Sequence, residues 1–240
     1  MALSSMKSLA GPDALFHNYS RSMSDSSELI MLFSSHRRYD IKELNSVSIA
    51  LGLDLDYSSK FSTLISSYGY KDYRESQIRF SYARKLTNKS SISLGLALIQ
   101  LRIREYGSKS MPAFSLGFSR GINKANIFSI YLANFGNIEL GYSGFTEASI
   151  VLNYTRRLNA SIDLLTEIEK SISHTLKTKL GIEYDLKSIV IRLAYDYSNA
   201  SSSFGFGFDL KSSFRIDIAA QVDLLLGINY GLNIIYSRFN

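Results

Sequence analysis

Apolar and polar side chains alternate along nearly the whole chain with a period of two, the spacing that puts successive residues on opposite faces of a strand. From Val47 to Tyr57, the residues Val47, Ile49, Leu51, Leu53, Leu55 and Tyr57 share one face, and Ser48, Ala50, Gly52, Asp54 and Asp56 share the other. The pattern returns in Ile78, Phe80 and Tyr82, in Ile92 to Leu98, in Phe114 to Phe118, in Phe128 to Leu132 and in Ile150 to Tyr154. It continues through Ile162 and Leu164, Leu176 to Tyr184, Ile189 to Tyr197, Phe204 to Phe208, Phe214 to Ile218 and Leu226 to Tyr236. With weaker segments at Glu28 to His36 and Lys60 to Tyr70, the chain carries about fourteen strands. Between them lie short polar stretches such as Leu86-Thr87-Asn88-Lys89, Arg157-Leu158-Asn159, Asp185-Leu186-Lys187, Ser198-Asn199-Ala200 and Leu210-Lys211-Ser212. These are hairpin turns, so consecutive strands pair antiparallel, up and down. Near Ile99 to Arg104 the phase slips, because Leu98 and Leu101 share a face only if a bulge intervenes. Residues 1–27 follow neither period, which makes them a separate N-terminal segment positioned to line or plug a lumen, ahead of a barrel over residues 28–240.

Alternation alone also suits a soluble sandwich, and the composition of the second face decides between the two. That face mixes Gly, Ala and Ser with Asp54, Asp56, Arg79, Lys85, Lys177, Lys179, Glu183, Arg192, Asp196, Asp209, Arg215 and Asp217. Small and charged residues suit a wet barrel interior, while the continuous apolar face suits acyl chains. In lipid every backbone donor and acceptor must be paired within the protein, and for strands only a closed barrel achieves this. The expected class is therefore all-β, a transmembrane antiparallel up-and-down β-barrel of the bacterial outer membrane. Sixteen tyrosines and fourteen phenylalanines, many at segment ends (Tyr57, Tyr82, Tyr106, Tyr154, Tyr184, Tyr197, Tyr236), supply candidates for the aromatic girdles of such a barrel.

Composition narrows the function. Two prolines in 240 residues favour long strands with short turns. Cysteine is absent, which removes disulfides, thiolate nucleophiles and cysteine metal sites from consideration. The net charge of +6 is spread singly along alternating segments, so it argues for no nucleic-acid partner. No run of about 18 apolar residues is present, which excludes a membrane-spanning helix. Met1 to Ala10 lacks the charged start and apolar centre of a secretory signal, as expected of a mature or trimmed form.

Little in the sequence points to catalysis or to a cofactor. His17, His36 and His174 are widely separated and none has a second ligand at metal spacing. No Gly-x-Ser-x-Gly elbow occurs, and a non-enzymatic protein is expected. Asp163, Glu167 and Glu169 lack the spacing of a calcium loop and read as a solvated strand end. Gly205 and Gly207 alternate with phenylalanines and read as small lumen-facing residues. Arg192, Asp209, Arg215 and Asp217 fall on neighbouring strands with the same facing, which predicts an internal ladder of ion pairs.

The last strand, Asn229-Tyr230-Gly231-Leu232-Asn233-Ile234-Ile235-Tyr236 with Phe239 beyond it, resembles the insertion signal of outer-membrane barrels. That resemblance implies recognition of Asn229, Gly231, Ile234, Tyr236 and Phe239 by a barrel assembly machinery. The segment Gly11 to Asn18, the strand Phe128 to Gly136 and the closing run from Phe204 through Phe214-Arg215-Ile216-Asp217-Ile218 to Leu226-Gly227 resemble FadL-like barrels, and within them the PorV and PorQ group of Bacteroidetes. The resemblance implies either an accessory or structural subunit of a larger outer-membrane complex, linked to type IX protein secretion, or a FadL-like channel for small hydrophobic solutes. The short chain leaves little room for large loops or a substantial hatch, which favours the subunit.

Overall fold

Strands that each carry one apolar and one polar face satisfy their backbones by pairing, and pairing every edge requires the sheet to close on itself. The computed structural model describes residues 11–24, 27–135, 148–172, 174–211, 213–224 and 226–239, and in it fourteen strands form one closed antiparallel barrel. In chain order they are β1 (Leu29–Arg37), β2 (Asn45–Asp56), β3 (Ser59–Gly69), β4 (Tyr73–Thr87), β5 (Ser90–Ile103), β6 (Gly107–Gly121) and β7 (Asn126–Phe135). The second half comprises β8 (Ser149–Arg157), β9 (Ile162–Ser171), β10 (Lys177–Asp185), β11 (Ile189–Asp196), β12 (Ser201–Lys211), β13 (Phe214–Asp223) and β14 (Gly227–Arg238). Each strand pairs with its neighbours in sequence, and β1 closes on β14 from Leu29↔Arg238 to Arg37↔Tyr230. At that seam the Glu28 backbone N–H donates to the Arg238 carbonyl at 2.9 Å, and the Arg238 guanidinium meets the Glu28 carboxylate at 3.0 Å.

The facing of side chains follows the pleat. In β5, Ser91, Ser93, Ala97 and Ile99 are buried towards the lumen, while Ile92, Leu94, Leu96 and Leu98 are exposed on the outside. Ile49, Ile65, Phe80, Leu94 and Leu98 expose 57, 52, 48, 56 and 54% of their surface. Together with their counterparts on the other strands they form an apolar belt far larger than a water-soluble surface carries. Tyr82, Tyr154, Tyr184 and Tyr236 flank the belt towards the rim that carries the chain ends, and Tyr195 and Tyr230 flank it at the far rim. The interior is polar, with Asn153, Glu167, Lys179, Arg192, Asp217 and Asn233 all buried. This arrangement inverts that of a soluble sandwich and makes the chain an integral outer-membrane barrel.

The phase slip at Ile99 to Arg104 has a different cause from the bulge expected there. β5 pairs without interruption with β4 and β6 through this stretch, Leu98 facing out and Leu101 facing in. The apparent slip arises because the inward row itself turns apolar: Ile99 is packed with Ala97 and Ala113. Register shifts occur instead at Asp54/Asp56, Lys85/Thr87, Asp209/Lys211 and, in the β6–β7 pair, at Phe114/Leu116. At this last shift Asn134 adopts a φ of 53°, a left-handed conformation that Asn tolerates, and Phe135 comes to lie opposite Phe114. Part of the Phe128 to Gly136 likeness and part of the Leu210-Lys211-Ser212 turn lie outside the described residues.

Candidate functional site in the lumen and its wall

The lumen is divided between two kinds of filling. Beside β2 to β7 the inward residues are small, including Ala50, Gly52, Ser62, Ala83, Ser91, Ser93, Gly117 and Ser129. Into this half fits the N-terminal segment, folded as two 3-10 turns, Gly11–Phe16 and Tyr19–Ser24. Leu15, Tyr19 and Met23 pack with Ile30, Leu32, Ala50, Leu64, Ala83 and Ile235 in an apolar cluster inside the barrel. The missing side chains on the wall make room. A Cβ at Gly117 would lie 2.2 Å from Asn18 Oδ1, and one at Gly52 would lie 2.9 Å from a Leu15 methyl.

Directional bonds fix the segment. Arg79, inward on β4, donates to the Leu15 carbonyl at 2.9 Å and the Phe16 carbonyl at 2.5 Å. Its register partners are Leu64 and Ala97, neither of which accepts a proton from a guanidinium, so its partners come from the lumen. The Tyr19 hydroxyl donates to the Phe61 carbonyl at 2.9 Å, and the Ser91 hydroxyl to the Ser20 carbonyl at 2.9 Å. Arg21 reaches Thr155 across the lumen at 3.3 Å. Neither period in the sequence hints at this, but an inward arginine among serines and alanines, with no acid in register, is a signal that something else fills the space.

Beside β9 to β13 the lumen is filled by charge. Arg192 donates to Glu183 at 2.7 Å and to Asp217 at 3.0 Å, and Arg215 donates to the same Asp217 oxygen at 2.9 Å. The structure thus brings Arg192, Arg215 and Asp217 together, with Glu183 beside them. Asp209 stands opposite Arg215 in register but is exposed, and makes no ion pair among the described residues. Gly207 leaves space for this cluster, since a Cβ there would lie 2.3 Å from Asp217 Oδ1. A second pair, Lys179 to Glu167 at 3.2 Å, is buried, and the Asn153 amide, turned so that its nitrogen faces Glu167, donates to it at 3.0 Å. Glu167 and Glu169 are therefore buried lumen residues and not the solvated strand end expected from sequence, because β9 continues to Ser171. Asp163 pairs with Arg157 at 3.1 Å.

The lipid-facing wall carries an apolar cavity of about 340 Å³, with Phe61, Phe80, Leu94, Leu96, Phe114 and Phe135 around it and Ser81, Gly95 and Ser115 at its floor. The Ser115 and Ser81 hydroxyls fill the space left by the missing Gly95 side chain, 2.3 and 3.2 Å from where a Cβ would lie, and Ser115 falls in the step where the β6–β7 register shifts. Phe135, re-aimed by that shift, meets Phe114 with ring centroids 5.9 Å apart and closes one side of the cavity.

The remaining sequence candidates are scattered. His17 lies in the N-terminal segment, His36 at the end of β1 and His174 in the connection after β9. Of the C-terminal signal, Tyr236 and Ile234 face outward, Gly231 and Asn229 inward, and Phe239 is exposed past the end of β14. The Asn229 side-chain oxygen accepts from the Tyr39 backbone N–H at 2.9 Å, tying β14 to the connection after β1.

Among known proteins, no family model matches this sequence and no curated protein does. Solved structures match over nearly the whole barrel. A Pseudomonas aeruginosa FadL homologue superposes with a TM-score of 0.72 at 11% identity, covering 96% of this chain and 95% of the other. The fold is that of the FadL-type outer-membrane barrels. The P. putida toluene transporter TodX, at TM-score 0.65 and 10% identity, covers 96% of this chain and 95% of its own. The Ralstonia pickettii toluene transporter TbuX, also at TM-score 0.65 and 10% identity, covers 96% and 94%. At such identities the FadL-type likeness is one of fold, and the finer likeness to the PorV and PorQ group rests on the sequence motifs alone.

Proposed function

We propose that this barrel passes small apolar or single-ring aromatic solutes across the outer membrane, with the N-terminal segment as a displaceable plug. The observation that carries this reading is the phenylalanine-lined cavity on the lipid side of the wall, where Gly95 has no side chain of its own and only the small Ser81 and Ser115 side chains stand behind it. A cavity of this kind, apolar and with few polar groups, suits a small hydrophobic ligand. The register shift beside it loosens the sheet where a solute leaving the lumen sideways would meet acyl chains. Neighbours in fold named as toluene transporters support the same class of solute.

The test is uptake of a labelled single-ring hydrocarbon by cells whose outer membrane has no other channel for it. Expression of the barrel is expected to raise uptake several-fold. A Ser20→Cys/Ser91→Cys pair in this cysteine-free chain, set where the Ser91 hydroxyl meets the Ser20 carbonyl, is designed to tie the plug to β5, so that once the disulfide has formed uptake should fall and should return with reductant. Uptake indifferent to the barrel ends the transport reading, and full uptake through a quantitatively crosslinked barrel ends the plug.

A second reading is favoured by the occupied lumen: an accessory or structural subunit of an outer-membrane complex, linked to type IX protein secretion, and delivered by the barrel assembly machinery through its last strand. A stable partner after gentle detergent extraction supports it. Recovery of a lone barrel under every extraction condition removes it.

A further inference from the structure

Outside the lumen, one pair of residues breaks a rule that the rest of the barrel keeps. Arg74 on β4 and Arg102 on β5 are directly opposite in the ladder, with the same facing, and both are exposed on the outer wall. Side chains so placed have Cβ atoms about 4.5–5.5 Å apart, and like charges there repel. Among the described residues the lumen contains one comparable pair, Asp163 opposite Glu183, but each of those acids has its own arginine, Arg157 and Arg192. Arg74 and Arg102 have no acid partner among the described residues: nearby Asp72 is taken by Arg104 at 3.0 Å, and Glu75 faces the lumen beside the Tyr73 hydroxyl.

Their height on the wall says what could relieve the repulsion. Going up β4 and β5 from the apolar belt, the outward pairs are Ile78↔Leu98, then Ser76↔Gln100, then Arg74↔Arg102, with Ser108 beside Arg102 on β6. The change from apolar to neutral polar to cationic within three rungs marks the headgroup layer. Phosphate fits two adjacent guanidinium groups through charge-assisted, bidentate hydrogen bonds. The rim in question is the one away from the chain ends. Among the described residues its connections, 38–44, 70–72, 104–106 and 197–200, are longer on the whole than those at the other rim, 57–58, 88–89, 122–125, 158–161 and 186–188. Longer connections belong to the external side of such barrels. We infer that Arg74 and Arg102 form a clamp for a phosphate group of a phosphorylated glycolipid in the external leaflet, whose acyl chains lie against Ile78 and Leu98 below.

The experiment is native mass spectrometry of the intact barrel, released from detergent after incubation with a bis-phosphorylated lipid A or its dephosphorylated form. The wild type is expected to retain the phosphorylated lipid at least about fivefold better. Arg74→Gln/Arg102→Gln should bring the two lipids level. Arg84→Gln/Arg120→Gln, outward arginines at the opposite rim, should leave the preference intact, and the gel-mobility shift of the folded barrel checks that every variant folds. Equal retention of both lipids by the wild type, or an undiminished preference in the Arg74/Arg102 variant, overturns the clamp. So does displacement of the lipid by millimolar inorganic phosphate, which would identify a site for the free anion.

Discussion

Single side chains decide how firmly the lumen is filled. Arg79 supplies donors to two carbonyls of the N-terminal segment, and Gly117 supplies the volume that Asn18 occupies. An Arg79→Met variant keeps the barrel wall intact but leaves the Leu15 and Phe16 carbonyls without those donors. Buried groups so stripped cost about 2 kcal/mol, which corresponds to a roughly 30-fold larger population with the segment displaced. Gly117→Val acts on the same contact by volume, because Asn18 is buried and its Oδ1 is already held by the Ser20 hydroxyl at 2.7 Å. In a Ser22→Cys background, with no other cysteine in the chain, thiol labelling of the folded barrel should accelerate by an order of magnitude or more in both variants. Unchanged labelling would mean that the segment is held by its apolar cluster and not by these polar contacts.

Among elements, the contrast is between ion pairs that lie inside the lumen and those at its mouth. The Arg192 and Asp217 side chains are 7% and 3% exposed, whereas Arg157, paired with Asp163, is 59% exposed. Arg192→Met leaves Glu183 without its partner and the buried Asp217 held by Arg215 alone, and should cost about 2–3 kcal/mol of barrel stability. Arg157→Met removes a pair that water already screens and should cost about 1 kcal/mol or less. Urea unfolding in detergent, followed by loss of the gel-mobility shift, separates these outcomes; equal shifts for the two would show that water reaches Arg192 as freely as Arg157. The ladder was readable in advance because period two fixes facing, and neighbouring strands of the same facing bring Arg192, Arg215 and Asp217 together. Glu183 was legible as an inward residue, but its place in the ladder depends on the β10–β11 register, which pairs it directly with Arg192. Asp209 shows the limit of the same reasoning, since opposition in register fixes the backbones while the side chain near the rim turns to solvent. The apparent slip after Leu98 arises because the inward face is not polar throughout, Ile99 being inward and apolar. Nothing in either period marks the 3-10 turns of the N-terminal segment, whose conformation is set by the wall it packs on.

At the scale of the whole molecule the barrel is held in lipid by a belt that has no partner within the chain, and the depth of a substitution in that belt should set its cost. Leu96 lies midway along β5 between Phe80 and Phe114, while Leu86 lies near the end of β4 at the rim of short turns. Both are about equally open, at 49% and 56%. If water covered them, arginine at either position would be tolerated alike, as exposed substitutions usually are. Under lipid the two part company: Leu96→Arg should cost about 2–4 kcal/mol, and Leu86→Arg no more than about 1 kcal/mol, because an arginine near the interface reaches the headgroups. Folding into bilayers of defined composition, titrated with urea, measures the difference directly. A Leu96→Arg barrel as stable as the Leu86→Arg one would place the belt in water and leave the apolar outer wall without a solvent. A penalty that shrinks in step with bilayer thickness as thinner lipids are used would fix the position of Leu96 along the membrane normal.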